Sequence, residues 1–218
     1  MQTMSDATTL PQTDNARKLT RRGLDAREKI LKAMVTCIGR AGFSATTVEQ
    51  VMAETGLSRG SVLHQFRNRI ELAVATADYV MQWALRDSHT RMQRIADPYQ
   101  RLAGYAEVMW ETQSQPEGIA LIEILLATRW DGELAEALHP ITSWVEREVE
   151  IELRDLATNA GLPDPEAFVP QGWLLLASVR GLLIEFSMGT RRPMIVQARE
   201  AMFTKHRQLC ANLAQRQG

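Results

Sequence analysis

Gly56-Leu57-Ser58-Arg59-Gly60-Ser61-Val62-Leu63-His64-Gln65-Phe66 is the stretch on which the fold of this chain turns. Gly56 can take the positive φ of a tight turn, and Ser58 can cap the helix that follows. Val62 and Phe66 lie four apart and share one face, which leaves Arg59, Gly60, Ser61 and Leu63 to Gln65 mostly outward. Upstream, Thr46-Thr47-Val48-Glu49 has the spacing of a capping box, the Thr46 hydroxyl and the Glu49 carboxylate satisfying each other's orphan amides, and predicts a helix to about Glu54. Further upstream, Ile30, Met34, Cys37, Ile38 and Ala41 recur at steps of three and four. Asp25 with Glu28 makes a capping-box-like start for that helix, and Gly42 a left-handed stop. Three short helices, with a glycine turn before the last, read as a helix-turn-helix.

Residues 25–72, centred on the run from Gly56 to Phe66, resemble the DNA-binding domain of the TetR family of transcriptional regulators. The resemblance covers about a fifth of the chain. It implies that Arg59 and Gly60 approach base edges, Arg59 as a bidentate partner for guanine and Gly60 by leaving room for close approach. It further implies phosphate contacts from Thr46, Thr47, Ser61, His64, Gln65 and Arg69. Where the family usually carries tyrosines after the aliphatic core residue, this chain has Leu63 and His64. Leu63 cannot donate a hydrogen bond, so an apolar contact such as a thymine methyl replaces a phosphate clamp there.

The 218 residues suffice for this small module plus one sizeable helical domain. The formal charge of −1 hides an asymmetry: residues 1–72 carry 11 Lys and Arg against 7 Asp and Glu, whereas the remainder carries 14 against 19. The basic end suits a polyanionic partner. Two cysteines, Cys37 and Cys210, without neighbours at metal-ligand spacing, fit a reducing compartment. No apolar run of about 18 residues and no signal-like start is read, so a cytoplasmic protein without membrane contact is expected. Residues 1–20 are polar and aperiodic, an arm expected to be disordered. Arg17, Lys18, Arg21 and Arg22 close it, either as phosphate or minor-groove contacts or as a solvated leader.

Beyond the head, at 21–72, the pattern of residues 73–218 is helical throughout and the fold class is all-α. A long helix is predicted from Arg67 to about Ile95, then one from Pro98 to Gln113, and a buried one from Ile119 to about Arg129. A short helix from Glu133 to Leu138 is followed, past Pro140, by an amphipathic one from Ile141. An apolar helix from Gln171 to about Met188 and a last from about Met194 to Leu213 complete the chain.

No catalytic constellation is visible: the four histidines are scattered, and neither a glycine-rich phosphate loop nor a nucleophile elbow occurs. No cofactor or metal is expected. The five tryptophans all lie beyond the head, with Tyr79, Tyr105 and Met109 among them, and suit either ordinary core or a pocket for an apolar effector. The family resemblance implies such a cavity, with Tyr79, Trp83, Tyr105, Met109, Trp110 and Trp130 at its wall. Glu123 and Glu185 stand inside apolar runs, where a desolvated carboxylate needs a partner, or else on a wet helix edge. Glu123 is taken as a further cavity residue.

The last two helices resemble the family's dimerisation elements, which implies an interface from Trp173, Leu176, Val179, Arg180, Gly181, Leu183 and Met202. The reading is thus a homodimeric, ligand-responsive repressor that binds a pseudo-palindromic site on double-stranded DNA and is released by a small effector. Its rivals are a constitutive or architectural DNA-binding dimer with a filled core, and a helical enzyme acting on an apolar substrate. The enzyme requires a titratable group in the cavity poised near neutrality.

Overall fold

The computed structural model describes residues 21–188 and 192–215, where every regular element is helical. The expected arm at 1–20 lies outside the described residues. Helix α1 (Arg21–Ala41) starts ahead of the expected Asp25. Glu28 is therefore interior to α1, and it pairs with Lys32 one turn on at 2.7 Å instead of closing a capping box. The stop is as expected: Gly42 has φ 78°, and its N–H donates to the Ile38 carbonyl at 2.8 Å.

Helix α2 (Val48–Thr55) is capped by Thr47, not Thr46. The Gln50 N–H donates to the Thr47 hydroxyl oxygen at 3.3 Å, and the Thr47 N–H donates to Gln50 Oε1 at 2.9 Å. The box is shifted by one residue because Thr46 is buried and its hydroxyl donates back to the Gly42 carbonyl at 2.8 Å. Gly56, at φ 67°, ends α2, and Ser58 caps α3 (Arg59–Gln65) by accepting from the Ser61 N–H. Asn68 caps the long helix α4 (Arg69–Met92), whose first turn gains Glu71.

Asp97 and Pro98 start α5 (Pro98–Ala103) as read. Gly104 then divides the single expected helix, and α6 (Tyr105–Gln113) follows it. After α7 (Pro116–Ala127) comes α8 (Gly132–Asn159), one helix where two were expected. Pro140 sits inside it. Proline removes one ladder hydrogen bond, and here both Glu136, whose carbonyl loses its donor, and Pro140 are exposed, so water can meet the freed oxygen. A 3-10 turn at Pro165–Phe168 leads into α9 (Val169–Ser187), and α10 (Pro193–Ala214) closes the described fold.

Two cores form. The first takes Ile30, Met34 and Ile38 from α1, Val51 from α2, Val62 from α3 and Phe66 just after it, Leu72, Ala73, Ala77, Val80 and Met81 from α4, Ala120, Leu121 and Ile124 from α7, and Leu134 and Leu138 from α8. The second joins Tyr105, Met109, Leu153, Val179, Leu183 and Phe203 from α6, α8, α9 and α10 with Phe168 of the 3-10 turn. The head thus has no core of its own; α7 is its floor. Contrary to the sequence expectation, Pro165–Ser187 is long and apolar enough by composition to cross a membrane, with a third of its most apolar window buried in the fold.

Candidate functional site

Helix α3 presents Arg59, Gly60, Ser61, Leu63 and His64 to solvent, and Gln65 is half-buried. Val62 on the opposite side is buried, as the four-residue spacing with Phe66 requires. The Arg59 guanidinium donates to Glu49 Oε1 of α2 at 2.7 Å, both side chains exposed. Two further arginines brace the head. Arg27 of α1 lies over the Phe66 ring at 4.4 Å. Arg69 lies over Phe43 at 4.5 Å and donates to the Phe43 carbonyl at 2.6 Å. Two expected phosphate ligands are thereby otherwise engaged: Thr46 is buried beneath the loop, and Arg69 clamps that loop.

A cavity of about 150 Å³ lies between α4, α6, α7, α8 and α9. Four helical stripes converge on it: Met81, Leu85 and Ser88 of α4; Tyr105, Met109 and Thr112 of α6; Val145, Val149 and Glu152 of α8; and Trp173, Leu176 and Arg180 of α9. Gln113, Leu121 and Leu125 complete much of the wall. Of the seven residues expected there, Tyr105 and Met109 are present. Tyr79 and Trp83 sit two residues to either side of Met81, about 200° around the helix, and so leave the cavity stripe. Trp110 stacks edge-on against Phe186 at 5.2 Å under Arg199, outside the cavity. Trp130 is 85% exposed at the turn after α7. Glu123 reaches the head instead, its Oε2 accepting from the Phe43 N–H at 3.2 Å.

The polar groups of the wall are poorly matched. Gln113 is 5% exposed, and neither its Oε1 nor Arg180 Nε finds a partner among the described residues. Burial pushes the Glu152 carboxyl up to about 7, raises the Tyr105 hydroxyl and lowers Arg180. On the far side, burial lowers His206, whose Nε2 lies 2.8 Å from the Leu102 carbonyl oxygen. That imidazole packs beside Tyr105 and Phe168 and borders the outer groove of α9 and α10, not the cavity.

Residues 30–76 match the family of bacterial regulatory proteins, tetR family. The HTH-type transcriptional regulator CymR of Pseudomonas putida is 21% identical over 165 residues, covering 75% of this chain and 80% of that protein. The segment that carries α1, α2 and α3 matches that family's DNA-binding domain. The fold of the chain is shared with a TetR transcriptional regulator of Chloroflexus aurantiacus, at TM-score 0.69 and 18% identity over 88% of this chain and 97% of that one. A transcriptional regulator of Saccharomonospora viridis in complex with choline matches at TM-score 0.63 and 17% identity, covering 82% and 94%.

The expected interface residues divide in two. Val179 and Leu183 are buried inside the subunit, and Trp173, Leu176 and Arg180 line the cavity. Helix α9 is apolar nearly all round, so periodicity could not say which side faces inward. Gly181 and Met202 lie instead along an outer groove of α9 and α10 with Leu174, Ser178 and Leu182. Leu174 is more than 60% exposed there, as are Met188 and Met194 at the ends of α9 and α10 that adjoin the link between them. Arg180, a lone cation in an apolar run, carries the same sequence signal as Glu123 and Glu185, and it lies on the cavity side of its helix rather than at the expected interface. Glu185 pairs with Arg192 at the surface.

Proposed function

We propose that this chain is a homodimeric, cytoplasmic, effector-responsive repressor, with a DNA-reading head at 21–72 and a body at 73–218. The observation that carries it is the path of α4, which contributes Leu72 and Ala73 to the core under the head and Met81, Ala84, Leu85 and Ser88 to the cavity. Leu72 and Met81 are about 14 Å apart along one rigid helix. A ligand seated on Met81 and Leu85 therefore presses on the element that positions α3. The recognition helices of a dimer must sit roughly 34–36 Å apart, so a small tilt of α4 in each subunit disturbs DNA binding.

In this reading Arg59 and Gly60 meet base edges, Leu63 a thymine methyl, and Thr47, Ser61, His64 and Gln65 the phosphates. The outer face of α9 and α10 makes the dimer, and its exposed Leu174 is the kind of surface such an interface buries. The cavity favours an effector over a constitutive dimer, and the choline-bound relative supports a body that accepts small molecules. Glu152 is the near-neutral group that an enzyme would require, but the cavity residues include no histidine, cysteine or lysine to work with it.

The test is to select operator fragments with the purified protein and measure affinity with and without a cavity ligand. Pseudo-palindromic sites and weakened binding with ligand are expected. Ligands that saturate the cavity without altering operator affinity would sink the effector role.

A further inference from the structure

We propose that the cavity takes a monoanionic ligand, a carboxylate on an apolar body about the size of one six-membered ring, with Arg180 as the group that recognises its charge. This deepens the effector reading above and rests on the cavity being the ligand site.

The size follows from the volume. A cavity of about 150 Å³ holds a ring such as benzene. Met81, Leu85, Met109, Leu121, Val149 and Trp173 supply apolar walls for that ring.

The charge follows from Arg180. Its guanidinium keeps its proton in any protein setting, so burial cannot neutralise it. Arg180 is half-buried; a cation drawn out of water is costly unless an anion meets it, and its buried Nε–H has no acceptor among the described residues. Two carboxyls share the wall, Glu146 and Glu152. Glu146 is exposed to water. Glu152 does not answer Arg180: no ion pair or hydrogen bond joins the two among the described residues, and burial is what shifts each. Glu152 is raised towards neutrality, so it offsets Arg180 only in part and the cavity is left in need of negative charge.

A planar carboxylate fits the fork of a guanidinium with two parallel hydrogen bonds. Gln113 also has unused hydrogen-bonding capacity at the same wall, and its amide can present nitrogen or oxygen to the same ligand. Tyr105 lines the same cavity, and its hydroxyl can supply a further donor. One cation, one amide and one hydroxyl around an apolar slot form a site selective for charge before shape.

Benzoate, benzamide and benzamidine have nearly the same shape and carry negative, zero and positive charge. Calorimetric titration of the full-length protein with each, in the absence of DNA, separates charge recognition from fit. Benzoate is expected to bind roughly tenfold or more tighter than benzamide, with benzamidine weakest. Arg180→Gln, checked for folding by circular dichroism, should erase the advantage of benzoate while leaving benzamide binding nearly unchanged. The wild-type series stands by itself if that variant fails to fold. Tightest binding by benzamidine would mean that Glu152 or Glu146 sets the charge, and would overturn the proposal. So would equal binding of all three, or no binding by any of them up to millimolar concentration. Benzoate binding in the expected order without any loss of operator affinity would uphold the anion site and remove the effector role.

Discussion

Arg69 shows how a residue can match a motif and still do other work. Its guanidinium covers the Phe43 ring and donates to the Phe43 carbonyl, so it holds the loop between α1 and α2. Arg69→Ala should therefore lower thermal stability, by about 1 kcal/mol for a partly exposed cation–π and hydrogen-bonded group. A variant that lost DNA affinity at unchanged stability would restore the phosphate role. Glu152 gives a pH dependence. Its folded pKa of about 7 lies above the ordinary carboxylate value, so between the two the native state binds more protons than the unfolded one. Its contribution is least unfavourable at acid pH, and stability falls as pH rises through about 4.5 to 7. Glu152→Gln should flatten that slope and stabilise the protein at pH 8 by at most about 3 kcal/mol, readable from urea melts at several pH values.

At the scale of elements, the pairing of α2 with α3 makes the reading arginine part of an internal ion pair. Under the proposed reading, Arg59 must leave Glu49 to reach a base, and Glu49 adds negative charge where phosphates would lie. Glu49→Gln is expected to raise operator affinity a few-fold and to reduce the selectivity gained through Arg59, as fluorescence anisotropy on matched and mismatched sites would show. A second link joins α7 to the head through Glu123 and the Phe43 amide. Glu123→Ala should speed hydrogen exchange at Phe43 while leaving α9 and α10 unaffected. Helix existence was legible from sequence nearly everywhere, because Ile30, Met34 and Ile38, or Val62 and Phe66, recur with one period. Capping was legible only to within a residue: Thr46 and Thr47 carry identical chemistry, and burial chose between them. Pro140 misled because its cost depends on whether water reaches the freed carbonyl, which no local pattern records. The cavity wall was mostly missed for a related reason. Tryptophan identity drew Trp83, Trp110 and Trp130 into it, whereas helix phase decides the wall, and Met81, Val149 and Arg180 are in phase.

For the whole molecule, the outer groove of α9 and α10 offers a clean test of assembly. A Cβ added at Gly181 meets nothing within 4 Å inside the subunit, so Gly181→Leu should leave the monomer fold intact. A bulky side chain on a close helix contact is overpacked, by typically 1–3 kcal/mol. The variant is therefore expected to dissociate at higher concentration in analytical ultracentrifugation and to lose operator affinity with it. Unchanged sedimentation would place the interface elsewhere. The floor that α7 and α8 supply to the head bears on how such a protein can be recombined. Ala120, Leu121, Ile124, Leu134 and Leu138 fill the same core as Ile30 and Phe66. A chimera cut after Leu72, with the reading module moved onto a foreign body, would set that module on a mismatched surface and leave holes or clashes beneath α1. Operator choice and ligand choice in this chain are therefore not interchangeable cassettes; a workable graft must carry the inward-facing side chains of α7 along with the module they support.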